Sequence, residues 1–129
     1  FELSSSSPEL SGFREKLRSL LGEAGMEDKK TGEVILAVDE ALSNIMRHCY
    51  GADKPGKIEI DFEDFRDRIE IVIRDYGKKF DLSKVPTPEL PPQKPGGLGV
   101  YFIKTLMDKA EHDPDFEAGN RLCLTKFKT

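Results

Sequence analysis

Three short stretches hold residue types that could do chemistry. In Val38-Asp39-Glu40-Ala41-Leu42-Ser43-Asn44, a carboxylate and a carboxamide stand four residues apart. On a helix that spacing makes Glu40 and Asn44 neighbours on one face. An amide oxygen can ligate Mg²⁺, and a carboxylate can orient or deprotonate a hydroxyl, so the pair suits phosphoryl transfer. The same pair also describes a solvated polar helix face. In Asp75-Tyr76-Gly77, an Asp at a strand end could accept a hydrogen bond from an exocyclic amine such as that of adenine. Gly77 would let the chain approach a planar base with no Cβ in the way. An ordinary Asp-x-Gly turn fits those letters equally well. Finally, Gly96-Gly97-Leu98-Gly99 opens an apolar helical run. Free N–H groups and the helix dipole at such an end favour an anion. No Gly-Lys-Ser/Thr closes it and no strand directly precedes it, so it is neither a Walker A loop nor a dinucleotide fingerprint.

The flanking pattern predicts the elements that must position these groups. A helix is expected from Ser7 as N-cap with Pro8 at its first position, carrying Leu10, Phe13, Leu17, Leu20 and Leu21, with Gly22 and Gly25 ending it. A second helix should span about 28–49, with Val34, Val38, Ala41, Ile45 and Cys49 on one face. At roughly 100° per residue Glu40 lies nearly opposite, with Asn44 and His48 one and two turns further along its stripe. His48 reads either as an acid–base group or as a helix-end residue packing near Tyr50. Residues 57–63 and 68–74 alternate, with Ile58, Ile60, Phe62 and Ile69, Ile71, Ile73 facing one way, so they predict an antiparallel hairpin. Residues 80–95 contain five prolines, which excludes a helix interior or central strand there. A third helix should follow the glycines to about residue 108, then two short strands near 109–112 and 120–126. A further edge strand fits residues 1–7. The order β-α-α-β-β-α-β-β implies an α+β architecture, a mixed and mostly antiparallel sheet with helices on one face.

Composition narrows the function. The 129 residues suit a single domain over 1–129, and 37% hydrophobic with 34% charged residues describes a soluble globular chain. A formal net charge of −4 argues against a nucleic-acid binder. No apolar run nears the roughly 18 residues of a membrane span. Cys49 and Cys123 form no CxxC pair and only His48 and His112 are present, which disfavours a zinc site. The two cysteines read as buried thiols in a reducing cytoplasm, although a disulfide is possible in principle.

Taken in order, helix Glu-x-x-x-Asn, strand-end Asp-x-Gly, long loop and Gly-x-Gly helix opening form one pattern. It resembles the GHKL (Bergerat-fold) ATPases, and among them the small anti-sigma-factor serine/threonine kinases of bacterial partner-switching systems. The stretches that carry the likeness are DEALSNIMRHCY, IVIRDYGKKFD, GGLGVYFIKTLMD and GNRLCLTKFK. The resemblance implies a two-layer α/β sandwich that binds ATP and Mg²⁺. It implies Glu40 as general base or polarising carboxylate, Asn44 as Mg²⁺ ligand and Asp75 as adenine-binding acid with Gly77 beneath the base. It further implies Gly97 and Gly99 at the phosphates, Leu98 and Val100 within the same ATP-binding set, and residues 80–95 as a lid. The implied substrate is a Ser or Thr of a small antagonist protein, the implied second partner is a sigma factor, and such proteins are often dimers. Two other functions remain open: an ATP-binding switch that holds its partner without phosphorylating it, and a detached histidine-kinase-like catalytic domain. The chain departs from the usual pattern in three places. Lys79 stands where a second glycine is common, Leu98 where Arg or Met is frequent, and Gly119-Asn120-Arg121 where Gly-Thr-Thr often occurs. Lys78 and Lys79 could reach a phosphate or be surface lysines.

Overall fold

The structure, a computed structural model, describes residues 1–51, 54–80 and 98–129. In chain order it runs β1 (Glu2–Ser4), α1 (Ser7–Glu23), α2 (Asp28–Asn44), a π-helical segment (Ile45–Tyr50), β2 (Lys57–Asp64), β3 (Arg68–Asp75), α3 (Leu98–Leu106), β4 (Lys109–His112) and β5 (Asn120–Phe127). The five strands form one sheet in the order β1-β2-β3-β5-β4. Where a mixed sheet was expected, every ladder among the described strands is antiparallel. The β2–β3 hairpin closes at Phe65, whose N–H donates to the Arg68 carbonyl at 2.8 Å.

Period-two alternation gives this sheet one buried face. Register lines the apolar residues up in rows: Ile60 opposite Ile73 opposite Leu122, then Ile71 opposite Leu124 opposite Ala110. The same alternation continues past the isoleucines, so Ile58, Asp75 and Asn120 form the next row on the core-facing side. At the other end of β5, Lys126 occupies a core-facing position and is buried. Its amine meets Glu33 of α2 at 3.2 Å and the carbonyl of Leu106, so one side chain ties β5 to α2 and to the end of α3.

The helices share a single core with that face. Helix α1 buries Leu10, Phe13, Leu17 and Leu21, spaced i, i+3 and i+4. Its N-cap is Ser6 rather than Ser7, which becomes the first helical residue, and the Ser6 hydroxyl donates to Glu9 at 3.3 Å. Gly25 takes a φ of 80°, and Met26 N–H returns to the Leu21 carbonyl at 3.1 Å, ending α1. Helix α2 buries Val34, Ile35, Ala37, Val38, Ala41, Leu42 and Asn44. That is more than one stripe, because α1 and α3 both pack on α2. The helix expected to reach Cys49 is α-helical only to Asn44 and then widens into the π-helical turn. Among the described residues, no helix is long and apolar enough to cross a membrane.

Candidate functional site

The end of the sheet where Asp75 and Asn120 face the core meets the π-helical segment and α3. Between them lies a narrow cleft of about 30 Å³, walled by Asn44, Ile45, Cys49, Phe80 and Ile103. A larger and wider depression lies along β3, β5 and β4 and is lined mostly by charged side chains such as Arg68, Glu70 and Arg121. Of the residues singled out by spacing, the cleft brings together Asn44 and Asp75.

Asp75 ends β3 at a core-facing position and is 1% exposed. Its Oδ1 accepts N–H bonds from Gly77 and from the Asn120 side chain, each at 3.0 Å. The Cys49 thiol bonds the same carboxyl group. Burial raises the Asp75 pKa above the usual 3.8, and these three donors act against the shift. Burial, with the adjacent Asp75 charge, pushes the Cys49 thiol up to about 12, so it is a neutral donor rather than a nucleophile. Cys49 and Cys123 are both free.

Asn44 closes α2 one turn after Glu40 and is 6% exposed, not on a solvated face. Its Oδ1 accepts a bond from exposed Arg47 at 3.2 Å. Its Nδ2 is buried without a partner among the described residues. An unpartnered buried amide costs about 1–3 kcal/mol, and such groups mark places where a ligand completes the bonding. Glu40 is half-buried, and its carboxylate lies against the first turn of α3. A Cβ built on Gly99 would collide with Glu40 Oε2, so only glycine fits there while the carboxylate holds this position. Val100 is buried one residue on, with its side chain in the common core. Leu98 opens α3. Gly97, and the expected lid after Phe80, lie outside the described residues.

Gly77 is also close-packed, but against the chain itself. A Cβ there would strike the Cys49 carbonyl and the Tyr50 ring. That carbonyl accepts the Lys78 N–H at 2.8 Å. The π-helical turn thus delivers a backbone acceptor to the loop after β3, a demand on Gly77 independent of any base. His48 packs on Phe80 rather than Tyr50, in a parallel ring stack with centroids 4.9 Å apart. Lys79 is not poised for a phosphate: its amine is held by the carbonyls of Phe116 and Gly119.

Sequence reasoning noted Asn120 and Gly119 as departures from the family pattern and gave neither a role in the site. The signal for Asn120 was present in β5, where it shares the alternation of Leu122 and Leu124 and is the polar residue on that face at the strand's start. Gly119 has no such signal, because its constraint is a contact between distant segments: a Cβ would meet the Asp75 carbonyl and the Tyr76 Cα.

A five-stranded antiparallel sheet backed by helices, with a buried acid at its end, is an arrangement that nucleotide-binding domains use. The family model for the histidine kinase-like ATPase domain matches residues 3–126, and the chain belongs to that family. Its relatives include the serine-protein kinase RsbW of Bacillus licheniformis, 34% identical over 130 positions that cover 93% of this chain and 79% of the relative. The serine-protein kinase RsbW of Bacillus subtilis (strain 168) is 30% identical, with 93% and 79% covered. The protein of the same name from Oceanobacillus iheyensis is 35% identical, with 93% and 80% covered.

Proposed function

We propose that this chain is an ATP- and Mg²⁺-dependent protein serine/threonine kinase that phosphorylates a small antagonist protein and sequesters a sigma factor. The observation that supports the reading is that Asn44 and Asp75, from separate parts of the sequence, line one cleft, while Glu40, one helical turn before Asn44, lies against Gly99. The relatives that align over most of the chain are serine-protein kinases, which supports the same reaction class.

Each residue has a definable task. Asp75, as a carboxylate, accepts from the 6-amino group of adenine and is disfavoured by the carbonyl that guanine carries there. Asn44 would hold Mg²⁺ through its Oδ1, from which the exposed Arg47 guanidinium would have to withdraw. No cluster of three His, Cys, Asp or Glu among the described residues could hold a metal alone, which suits an ion bound through one side chain and substrate phosphates. The bound ion would offset triphosphate charge. The first turn of α3 directs N–H groups and a positive dipole end toward the same region. Glu40 accepts the proton of the attacking serine or threonine hydroxyl. The hydroxyl oxygen then bonds the γ-phosphorus, the bond to the bridging oxygen breaks, and ADP leaves.

The test is incubation with γ-labelled ATP and a candidate antagonist protein, wild type beside Glu40→Ala. Acid-stable label on the antagonist, lost in the variant, is expected. Equal labelling by both would remove Glu40 from the mechanism. Acid-labile label would indicate a histidine acceptor, and ATP binding without labelling would indicate a switch that does no chemistry.

A further inference from the structure

Two of the departures from the family pattern, Lys79 and Asn120, meet in the structure. Residues 76–80 leave β3 and are fastened to the turn before β5. Lys79 grips the carbonyls of Phe116 and Gly119, and the Phe80 N–H donates to Asn120 Oδ1 at 2.8 Å. Asn120 is 6% exposed and uses both ends of its amide. Its Nδ2 donates to Asp75 Oδ1 at 3.0 Å and to the Lys78 carbonyl at 2.8 Å, and lies 3.5 Å from Cys49 Sγ. Its Oδ1 also lies 3.3 Å from His112 Nε2. Gly119 beside it is pressed on the Asp75 carbonyl, so the amide has little freedom to shift. A hydroxyl side chain has a single donor and could not serve both Asp75 and the Lys78 carbonyl.

We propose that Asn120 is a positioning residue for base recognition: it fixes the Asp75 carboxyl and the Phe80 wall relative to each other, so that the cleft reads the 6-amino group of a purine. The proposal rests on the reading of Asp75 as the adenine acceptor. Two N–H donors on Oδ1 turn the carboxyl's remaining acceptor capacity to the Cys49 thiol and the ligand amine. Without the amide, Asp75 keeps Gly77 and Cys49 but loses the tie that holds it against Phe80.

The experiment pairs side chain with ligand group. Dissociation constants for Mg·ATP and for Mg·purine riboside triphosphate, which lacks the 6-amino group, are measured by calorimetry. Wild type, Asn120→Ala and Asn120→Thr are compared, with melting curves for each. Wild type should lose roughly tenfold or more in affinity when the amine is removed, in line with a hydrogen bond to a charged group. In Asn120→Ala the amine should matter about threefold or less, with Asn120→Thr between them, whatever the change in absolute affinity. Equal amine penalties in wild type and variants would overturn the proposal and leave Asn120 a structural staple. No penalty in wild type would instead remove the adenine reading of Asp75, and the proposal with it. If Asn120→Ala does not fold, the threonine variant alone decides.

Discussion

Asp75 must accept hydrogen bonds where its charge is disfavoured, and the sign of that conflict is measurable. Its pKa is raised by burial, so the folded protein holds the proton at a pH where the unfolded chain, near 3.8, has released it. Stability from this group is therefore greatest below that window and declines as pH rises through it. Binding of an amine donor follows the opposite course. Mg·ATP affinity should fall as pH is lowered, with an acid limb above 3.8, as calorimetric titration across pH would show. Asp75→Asn should leave the apo protein at least as stable at pH 7 while the thermal shift with Mg·ATP disappears. Cys49, pushed up to about 12, stays a thiol throughout and adds no limb of its own. The place of Asp75 at the end of β3 was legible from the alternation before it, while its task as an amine acceptor stood there beside an ordinary Asp-x-Gly turn. The part played by Asn120 was not legible, since alternation with Leu122 and Leu124 gives it a face of β5 but only the cross-strand register sets it beside Asp75.

At the level of elements, two glycines separate folding from catalysis. Gly77→Ala drives a Cβ into the Cys49 carbonyl, which is backbone and has nowhere to go. A loss of about 1–3 kcal/mol is expected, read as a lower denaturation midpoint. Gly99→Ala meets only the end of the Glu40 side chain. Alanine in a helix offsets the strain by up to about 1 kcal/mol, so stability should change little. The carboxylate must move aside, and phosphoryl transfer should fall at least tenfold in kcat, on the order of what general-base catalysis contributes. Single-turnover assays beside melting curves would separate the two variants. The helices were legible from their 3.6-residue periods, but the π-helical turn was not. Ile45 and Cys49 keep the spacing of an ordinary helix, and the widening shows only where the Cys49 carbonyl meets Lys78. The burial of Asn44 was not legible for a related reason, since a single-face reading of α2 sets it in the stripe opposite the core and omits the cover that α3 supplies.

For the molecule as a whole, ligand and fold are linked. Mg·ATP at about 100 times its Kd should add roughly 2.7 kcal/mol to unfolding, and Asn44→Ala should abolish the part of that shift that depends on Mg²⁺. The α+β class and the β2–β3 hairpin were legible, because alternation with a short turn names its own partner. The sheet order was not: β5 inserts between β3 and β4, and nothing local says that a strand will pair across a helix and a long connection. That insertion has a consequence for synthesis. Of the five strands, β5 emerges last, yet it occupies an interior position and supplies the amide that caps Asp75. A nascent chain halted on the ribosome before residue 120 would present β3 with an open edge and an uncapped acid. It should therefore fail to retain nucleotide, while a chain with β5 clear of the exit tunnel should capture it.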